Sequence, residues 1–279
     1  VVCRRQRQMC IRDRLKRADM LGCDFIATGH YANINEKSGR YFISKGKDLN
    51  KDQSYALWGI SQKNLSRTIF PLGSLEKNEI KKIALDRGYD NLVKKSESYE
   101  ICFVPDNDYR SFLKKRVSNI DKVIKKGDFI TEDGQTVGTH QGYPFYTIGQ
   151  RKGLGLALGY PIYVTNIDVE KNTVTVGTFD ELKRNGMYVD KLNFMKYDKI
   201  DGRLDAFTKI RYNDSGNPSV IEKVGDTMKV YFGAGVNAIT PGQAAVFYED
   251  NDVIGGGWIK SSFNQNKIKS DSNTLIKND

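Results

Sequence analysis

The amino-acid sequence predicts a chain in three parts: a partial α/β domain, a mostly β central domain and a C-terminal β-barrel. Three observations predict it. Near the start, Ile11, Leu15, Ala18 and Leu21 recur at helical spacing, Gly22 stops the helix, and a short apolar run follows that ends in Thr28-Gly29-His30. From about residue 127 helical periodicity fades and short strands bounded by turn residues take over. Beyond residue 188 strand candidates recur at regular intervals, which suggests a closed barrel or sandwich.

A helix that feeds a buried strand ending in glycine reads as a piece of parallel sheet. Ligands of such sheets sit outside the carboxyl ends of the strands, where Gly29 and His30 fall. RYFISKG, residues 40–46, is a further strand. Ser74 is positioned to cap a helix with Ile80, Ile83 and Ala84 on its apolar side and Gly88 at its end. After Cys102, Asp106 can cap a helix that carries Tyr109, Phe112, Leu113 and Val117 on one side. In the central part, FITEDGQTVGTH turns at Asp133-Gly134 and YPIYVTNIDVEKNTVTVG turns near Lys171-Asn172. Residues 180–187 read as a linker. The barrel strands are DAFTKIRY, SVIEKV, MKVYF, QAAVFYE and DVIGGGWI. Boundaries follow at 15–118, 119–185 and 186–265, with a polar tail at 266–279.

Composition narrows the function classes. The 279 residues carry 44 Lys+Arg against 34 Asp+Glu, a formal net charge of +10. Such a surface attracts polyanions, nucleic acid first, or is simply a solvated lysine-rich face. No apolar run approaches the roughly 18 residues of a membrane span, and no secretory leader is visible. Four cysteines without regular spacing (Cys3, Cys10, Cys23, Cys102) fit a reducing cytoplasm better than a disulfide scaffold. No CxxC occurs and the two histidines, His30 and His140, are far apart, so a zinc site is not expected. Taken alone, Cys102 between Ile101 and Phe103 is better explained by a small buried hydrophobe than by a reactive thiol.

The motifs taken together say more. ATGHYA (27–32), KDQSYALWGI (51–60), FPLG (70–73), EICFVPDNDYRSFL (100–113), YTIGQRKGLG (146–155), IRYN (210–213) and PGQAAVFY (241–248) resemble the tRNA-specific 2-thiouridylases, in family order, over about residues 18–260. The resemblance implies an ATP-pyrophosphatase-type, adenine-nucleotide alpha-hydrolase-like α/β domain at the front. It implies an enzyme that adenylates the C2 oxygen of the wobble uridine of tRNA with ATP, magnesium being its counter-ion. Sulfur then comes from a persulfide on an active-site cysteine, loaded by a donor protein such as a cysteine desulfurase or a relay protein. By the resemblance that cysteine is Cys102, Gly29 is an ATP contact, and His30, Lys51, Asp52, Gln53, Arg211, Tyr212 and Gln243 face tRNA. The chemistry of these residues agrees. A thiolate accepts sulfur and a helix N-terminus beside it favours its charge. Glycine lets backbone approach a nucleotide, lysine and arginine suit phosphate, and a tyrosine ring stacks on a base. Read without the resemblance, His30 is a hydrogen-bonded strand-end residue and the KDQ segment a polar turn. Gly149, Arg151, Lys152 and Gly153 form a basic turn suited to phosphate backbone or to solvent alone.

Two elements of the family pattern do not occur in these residues. No SGGVDSS-like phosphate loop precedes ATGHYA, and the cysteine that would resolve the persulfide as a disulfide falls by count near Arg5. Cys3 and Cys10 lack the expected neighbours and receive no catalytic role, and VVCRRQRQMCIRDR reads as a segment unrelated to the family. The expectation is a sulfurtransferase that does not adenylate in this form. The competing reading is a non-catalytic RNA-binding barrel with a degenerate α/β part. An argininosuccinate synthase-like ligase fits less well, because of Cys102 in EICF and the barrel.

Overall fold

The computed structural model describes residues 2–94 and 124–264. The described residues fall into two compact units, one drawn from Val1–Glu97, Met187–Gly233 and Pro241–Ser261, the other from Ser98–Gly186, Ala234–Thr240 and Ser262–Asp279.

In the first unit, helix α1 (Val2–Met20) buries Ile11, Leu15 and Ala18, the spacing that predicted it, and Gly22 at φ +67° ends the turn that follows. Leu21 is exposed, so the fourth residue of the stripe does not join the core. Strand β1 (Ile26–Ala27) is only two residues long. It pairs in parallel with β4 (Thr68–Ile69), which confirms the parallel α/β reading on a reduced scale. Between them lie the hairpin β2 (Ala32–Lys37) and β3 (Arg40–Lys45) and two single-turn helices, α2 (Ser54–Leu57) and α3 (Gln62–Leu65). Helix α4 (Lys77–Asp86) begins differently from the expectation. Its cap is Glu76, not Ser74: Glu76 and Glu79 form a reciprocal capping box, with Glu79 accepting the Glu76 N–H at 2.6 Å. Helix α5 (Asp90–Lys94) follows.

The barrel consists of β9 (Lys183–Phe194), β10 (Arg203–Lys209), β11 (Asn217–Val224), β12 (Thr227–Asn237), β13 (Ala244–Glu249) and β14 (Asp252–Phe263). The order β13-β10-β11-β12-β9-β14 is closed by pairing of β13 with β14, so no edge is left between these six strands. Alternation drives it: Met228, Val230 and Phe232 of β12 point in, beside Ile221 of β11, and a buried Thr208–Ser219 hydroxyl pair at 2.7 Å satisfies the polar groups inside. The linker expected at 180–187 is a correction. It opens the twelve-residue strand β9, whose polar KRNG start hid a half-buried alternation further along.

The sheet does not stop at the barrel. Strand β3 adds to β14, with Ser44 opposite Asp252, so the β2–β3 hairpin extends the barrel sheet to eight strands. A shared core joins α1, β3, α2 and α3 to Met195, Ala244, Val246, Tyr248 and Val253 of the barrel wall. Gly256 of β14 permits this contact, whereas Gly255 and Gly257 on either side of it make room for β9. At Gly256 an added Cβ would sit 2.7 Å from the Ala245 carbonyl oxygen and 2.9 Å from Trp58 Cδ2.

In the second unit, β5 (Gly127–Ile130) and β6 (Thr136–His140) form the first predicted hairpin, with Gly134 at φ +86° in the turn. Strands β7 (Tyr163–Asp168) and β8 (Thr173–Gly177) form the second, with Asn172 at φ +52°. The sheet order is β6-β5-β8-β7, over a core of Phe129, Tyr146, Leu154, Ile162, Val164, Val174 and Val176. His140 is buried in it. Its Nδ1 accepts the Gly142 N–H at 3.0 Å, and Nε2 lies 3.2 Å from the Asn172 carbonyl oxygen. That pattern fixes the neutral ring with its proton on Nε2.

Two outcomes follow from this packing. Gly256→Ala should cost about 1–3 kcal/mol, because the obstacles are a backbone oxygen and a packed indole that cannot yield; an unchanged melting temperature would contradict that close approach. Burial lowers the His140 pKa, against weaker opposite effects of the Asn172 carbonyl and Asp128. A group so lowered contributes stability that is complete above its unfolded value near 6.5 and is lost as pH falls through the folded value. His140→Gln should therefore flatten the acid side of the stability profile below about pH 6.5. Superimposable denaturant midpoints of the two proteins from pH 5 to pH 8 would count against it.

Candidate nucleotide and RNA site

The site begins where β1 ends. Ile26 and Thr28 donate their N–H groups to Arg67 and Ile69 of the neighbouring strand, at 3.0 Å each, and the chain then leaves the sheet at Gly29. Gly29 is exposed, its φ lies outside the left-handed region, and an added Cβ would just touch Leu72 Cδ1 at 3.4 Å. Its value at this position is thus an open backbone face, not a special conformation. His30 is half-buried, with Nδ1 2.8 Å from Thr28 Oγ1 and its ring edge-on to Phe70 at 5.5 Å. The strand-end reading of His30 is correct as structure.

The KDQ segment lies against the same point. Gln53 pairs with Tyr31 as a strand would: its N–H donates to the Tyr31 carbonyl at 2.9 Å, and its Oε1 accepts the Tyr31 N–H at 3.2 Å. Asp52 is a hub. Its Oδ1 accepts the N–H groups of Gly46 and Ser54 at 3.1 Å, and its Oδ2 accepts the Ser54 hydroxyl at 2.7 Å. Ser54 in turn lies 3.1 Å from the buried Tyr248 hydroxyl. Burial raises the Tyr248 pKa far above the ordinary phenol value. The Asp52 carboxylate and the Gln53 carboxamide oxygen are thus spent on holding backbone. Lys51 opens the segment, and its N–H donates to the Asp48 carbonyl at 3.0 Å.

The barrel meets this segment directly. Tyr212 donates its hydroxyl to the Asp52 carbonyl at 2.9 Å, and its ring packs edge-on to Tyr55, centroids 6.3 Å apart. Arg211 beside it is exposed. The loop that carries both is ordered by Asp214, which accepts from the N–H of Ile210 at 3.0 Å and of Gly216 at 3.1 Å. Gln243 follows Gly242, at φ +82°, and is anchored by its carbonyl to the Ile259 N–H at 2.8 Å. One residue on, Ala244 accepts the Tyr55 hydroxyl at 2.8 Å. Gly29, His30, Asp52, Gln53, Arg211, Tyr212 and Gln243 are therefore linked through one short chain of contacts.

Cys102 and its flanking motif lie outside the described residues. Gly149, Arg151, Lys152 and Gly153 lie in the second unit, in a turn whose two cations are exposed. Among the described residues no three His, Cys, Asp or Glu side chains gather as a metal site, and no helix is long and apolar enough to cross a membrane. The sequence reading did not single out Ser54, Tyr31 and Tyr248, which fix the segment. The only signal for Ser54 and Tyr248 is their place within the QSYALW and AAVFY runs.

Comparison with known proteins places these features in a family. Residues 1–106 match the domain described as tRNA methyl transferase HUP domain, residues 110–178 the tRNA methyl transferase PRC-barrel domain, and residues 184–259 the aminomethyltransferase beta-barrel domain. The tRNA-specific 2-thiouridylase MnmA of Amoebophilus asiaticus is 66% identical over 256 residues, covering 91% of this chain and 68% of that protein. Its namesake in Cytophaga hutchinsonii is 62% identical over 252 residues, covering 90% and 68%. That of Salinibacter ruber is 53% identical over 248 residues, covering 88% and 65%. With a partial α/β front, a central β unit and a closed six-stranded barrel arranged as these matches require, the chain belongs to the tRNA-specific 2-thiouridylase family.

Proposed function

We propose that the protein is an ATP-dependent tRNA uridine 2-sulfurtransferase that places sulfur on C2 of the wobble uridine. The observation that carries this reading is the hydrogen bond from Tyr212 to the Asp52 carbonyl, between residues 160 apart in sequence. It joins the two motifs read as tRNA contacts into one surface beside the strand end read as the nucleotide contact. The matched domain families are described by methyl transfer and the relatives by thiolation. The relatives carry the more specific name at high identity, and a cysteine in EICF suits sulfur transfer.

In this reading the uridine C2 oxygen attacks the α-phosphate of ATP and pyrophosphate leaves; a magnesium ion, when bound with the nucleotide, would offset the charge. The terminal sulfur of a Cys102 persulfide then adds to C2 and AMP departs with the oxygen; a second thiol attacks the Cys102 sulfur, so that the S–S bond breaks, 2-thiouridine leaves and a disulfide to Cys102 forms. A partner protein supplies the persulfide sulfur. Gly29 gives the nucleotide an open backbone face, and His30 is held beside it by Thr28. Lys51 and Arg211 bind phosphate, and Tyr212 offers a ring whose hydroxyl is already engaged. Asp52 and Gln53 position the segment and do not read bases with the oxygens that hold Gly46, Ser54 and Tyr31. The same contacts fit a non-catalytic RNA-binding protein; the cysteine in EICF and the relatives at up to 66% identity favour the enzyme.

Cys102→Ser in the active enzyme should abolish 2-thiouridine formation while tRNA affinity stays unchanged, because serine keeps the shape but carries no persulfide. Thiolated product from the serine enzyme, detected by mass spectrometry of digested tRNA, rules this role out. Arg211→Ala should weaken tRNA binding and reduce the slope of log affinity against log salt by about 0.7–0.9. An unaltered slope returns Arg211 to the solvated surface.

A further inference from the structure

Strand β10 carries a row of residues that none of the motif assignments uses. Phe207 and Lys209 are two apart and therefore project from the same face of the strand. In the neighbouring strand they pair with Tyr248 and Val246, whose side chains belong to the core on the outside of the barrel wall. Phe207 and Lys209 accordingly stand at the rim of that core, on the outer surface. Phe207 leaves 51% of its surface exposed.

Lys209 is half-buried, yet among the described residues its ammonium has no hydrogen-bond or ion-pair partner within the usual limits. The groups that face it are Asp52 from the KDQ segment, Lys45 from β3 and Asp214 from the loop beyond β10. Burial lowers its pKa, Lys45 lowers it further, and the two carboxylates act in the opposite sense without closing on the amine. Lys45 itself is held nearby, over the Tyr248 ring at 5.1 Å. Gly216 lies across both side chains of the row. With φ +98° it is confined to glycine geometry, and an added Cβ would stand 3.4 Å from Lys209 Cγ and 3.7 Å from Phe207 Cδ1. The loop that presents Arg211 and Tyr212 thus ends, at Gly216, in a residue that carries no side chain over the ring and the lysine stem.

We propose that Phe207 and Lys209, left open by Gly216, form one further nucleotide subsite of the tRNA surface, with Lys209 on a backbone phosphate and Phe207 stacked on the adjoining base. The inference rests on the functional reading above and extends its surface along β10 from Arg211. A phosphate at Lys209 supplies the anion that Asp52 and Asp214 do not bring into contact, and offsets the repulsion from Lys45. An exposed ring next to a cation is the pairing that single-stranded RNA segments use, since every base has a face to stack.

The test is a salt titration of tRNA affinity for the full chain and for Lys209→Met, Lys209→Arg, Phe207→Ser and Arg211→Ala, each with its melting curve as a folding control. Lys209→Met should reduce the salt slope by about 0.7–0.9, as one phosphate contact is lost. Lys209→Arg should restore the slope, which a purely structural role for the aliphatic stem would not require. Phe207→Ser should weaken binding about 5- to 100-fold with the slope unchanged, as one stacked base is lost. An intact slope in Lys209→Met together with intact affinity in Phe207→Ser, while Arg211→Ala still loses a contact, overturns the subsite and leaves the functional reading standing. Absence of salt-dependent tRNA binding in the unaltered protein overturns both.

Discussion

The Asp52 carboxylate is the constraint on which the arrangement of the first unit depends. Four groups converge on the residue: two N–H donors, the Ser54 hydroxyl and, on its carbonyl, the Tyr212 hydroxyl. Ser54 passes the connection to Tyr248, buried within the barrel wall. A carboxylate that accepts three hydrogen bonds is worth more than a neutral turn residue, because hydrogen bonds to charged groups are the stronger ones. Its removal would leave donors without partners next to a fully buried phenol. The α/β residues and the barrel residues thereby share a polar anchor at their common core.

A second seam runs along the other side of the hairpin. Lys196 bridges Glu249 at 2.5 Å and Asp252 at 2.7 Å, Tyr197 donates to Glu249 at 3.0 Å, and Asp252 accepts the Ser44 hydroxyl at 2.5 Å. Burial works to lower the Lys196 pKa, and the hydrogen bonds to Asp252 and Glu249 outweigh it and hold the ammonium above its ordinary value. Glu249 is held below the usual carboxylate range by Lys196 first. Gln62 adds a third fixture, its carboxamide taking the N–H of Tyr41 at 2.9 Å and its carbonyl at 2.7 Å. Gln53 holds Tyr31 with its carboxamide oxygen and its own backbone N–H. Side-chain amides thus occupy ladder positions that a neighbouring strand would otherwise fill.

Local signals were legible in the sequence and long-range ones were not. Both central hairpins were visible because Gly134 and Asn172 sit at positive φ, where only a few residue types are comfortable. Helix α1 was visible because Ile11, Leu15 and Ala18 keep helical spacing. Strand β9 was missed because Asn185-Gly186 mimics a turn inside a polar start, although Met187 and Val189 alternate correctly just beyond. Ser74 was preferred as a cap on residue type alone, whereas Glu76 holds that role through a reciprocal bond with Glu79. In the site, the motifs were recognisable through resemblance, but the division of labour within KDQ was not. The partners that occupy Asp52 and Gln53 include Tyr31 at 22 residues and Tyr212 at 160, and no local pattern reports them. The role assigned to Cys102 stands on sequence resemblance and lies outside the described residues.

This division has a physical logic for the tRNA surface proposed above. A net charge of +10 attracts any nucleic acid and fades with salt, so it supplies encounter and affinity without register. Register needs groups that do not move when the ligand arrives. Asp52, Gln53 and the Tyr212 hydroxyl are fixed in the protein by hydrogen bonds that do not involve RNA, and so they define where the neighbouring cations and rings stand. Acidic groups inside a basic surface are consistent with this. Asp52 and Asp214 each satisfy backbone N–H donors, which ties up their acceptor capacity and orders the turns beneath the cations. A surface of cations alone would attract RNA more strongly, but it would lack fixed loops such as the proposed tRNA surface needs to hold a strand in a single position.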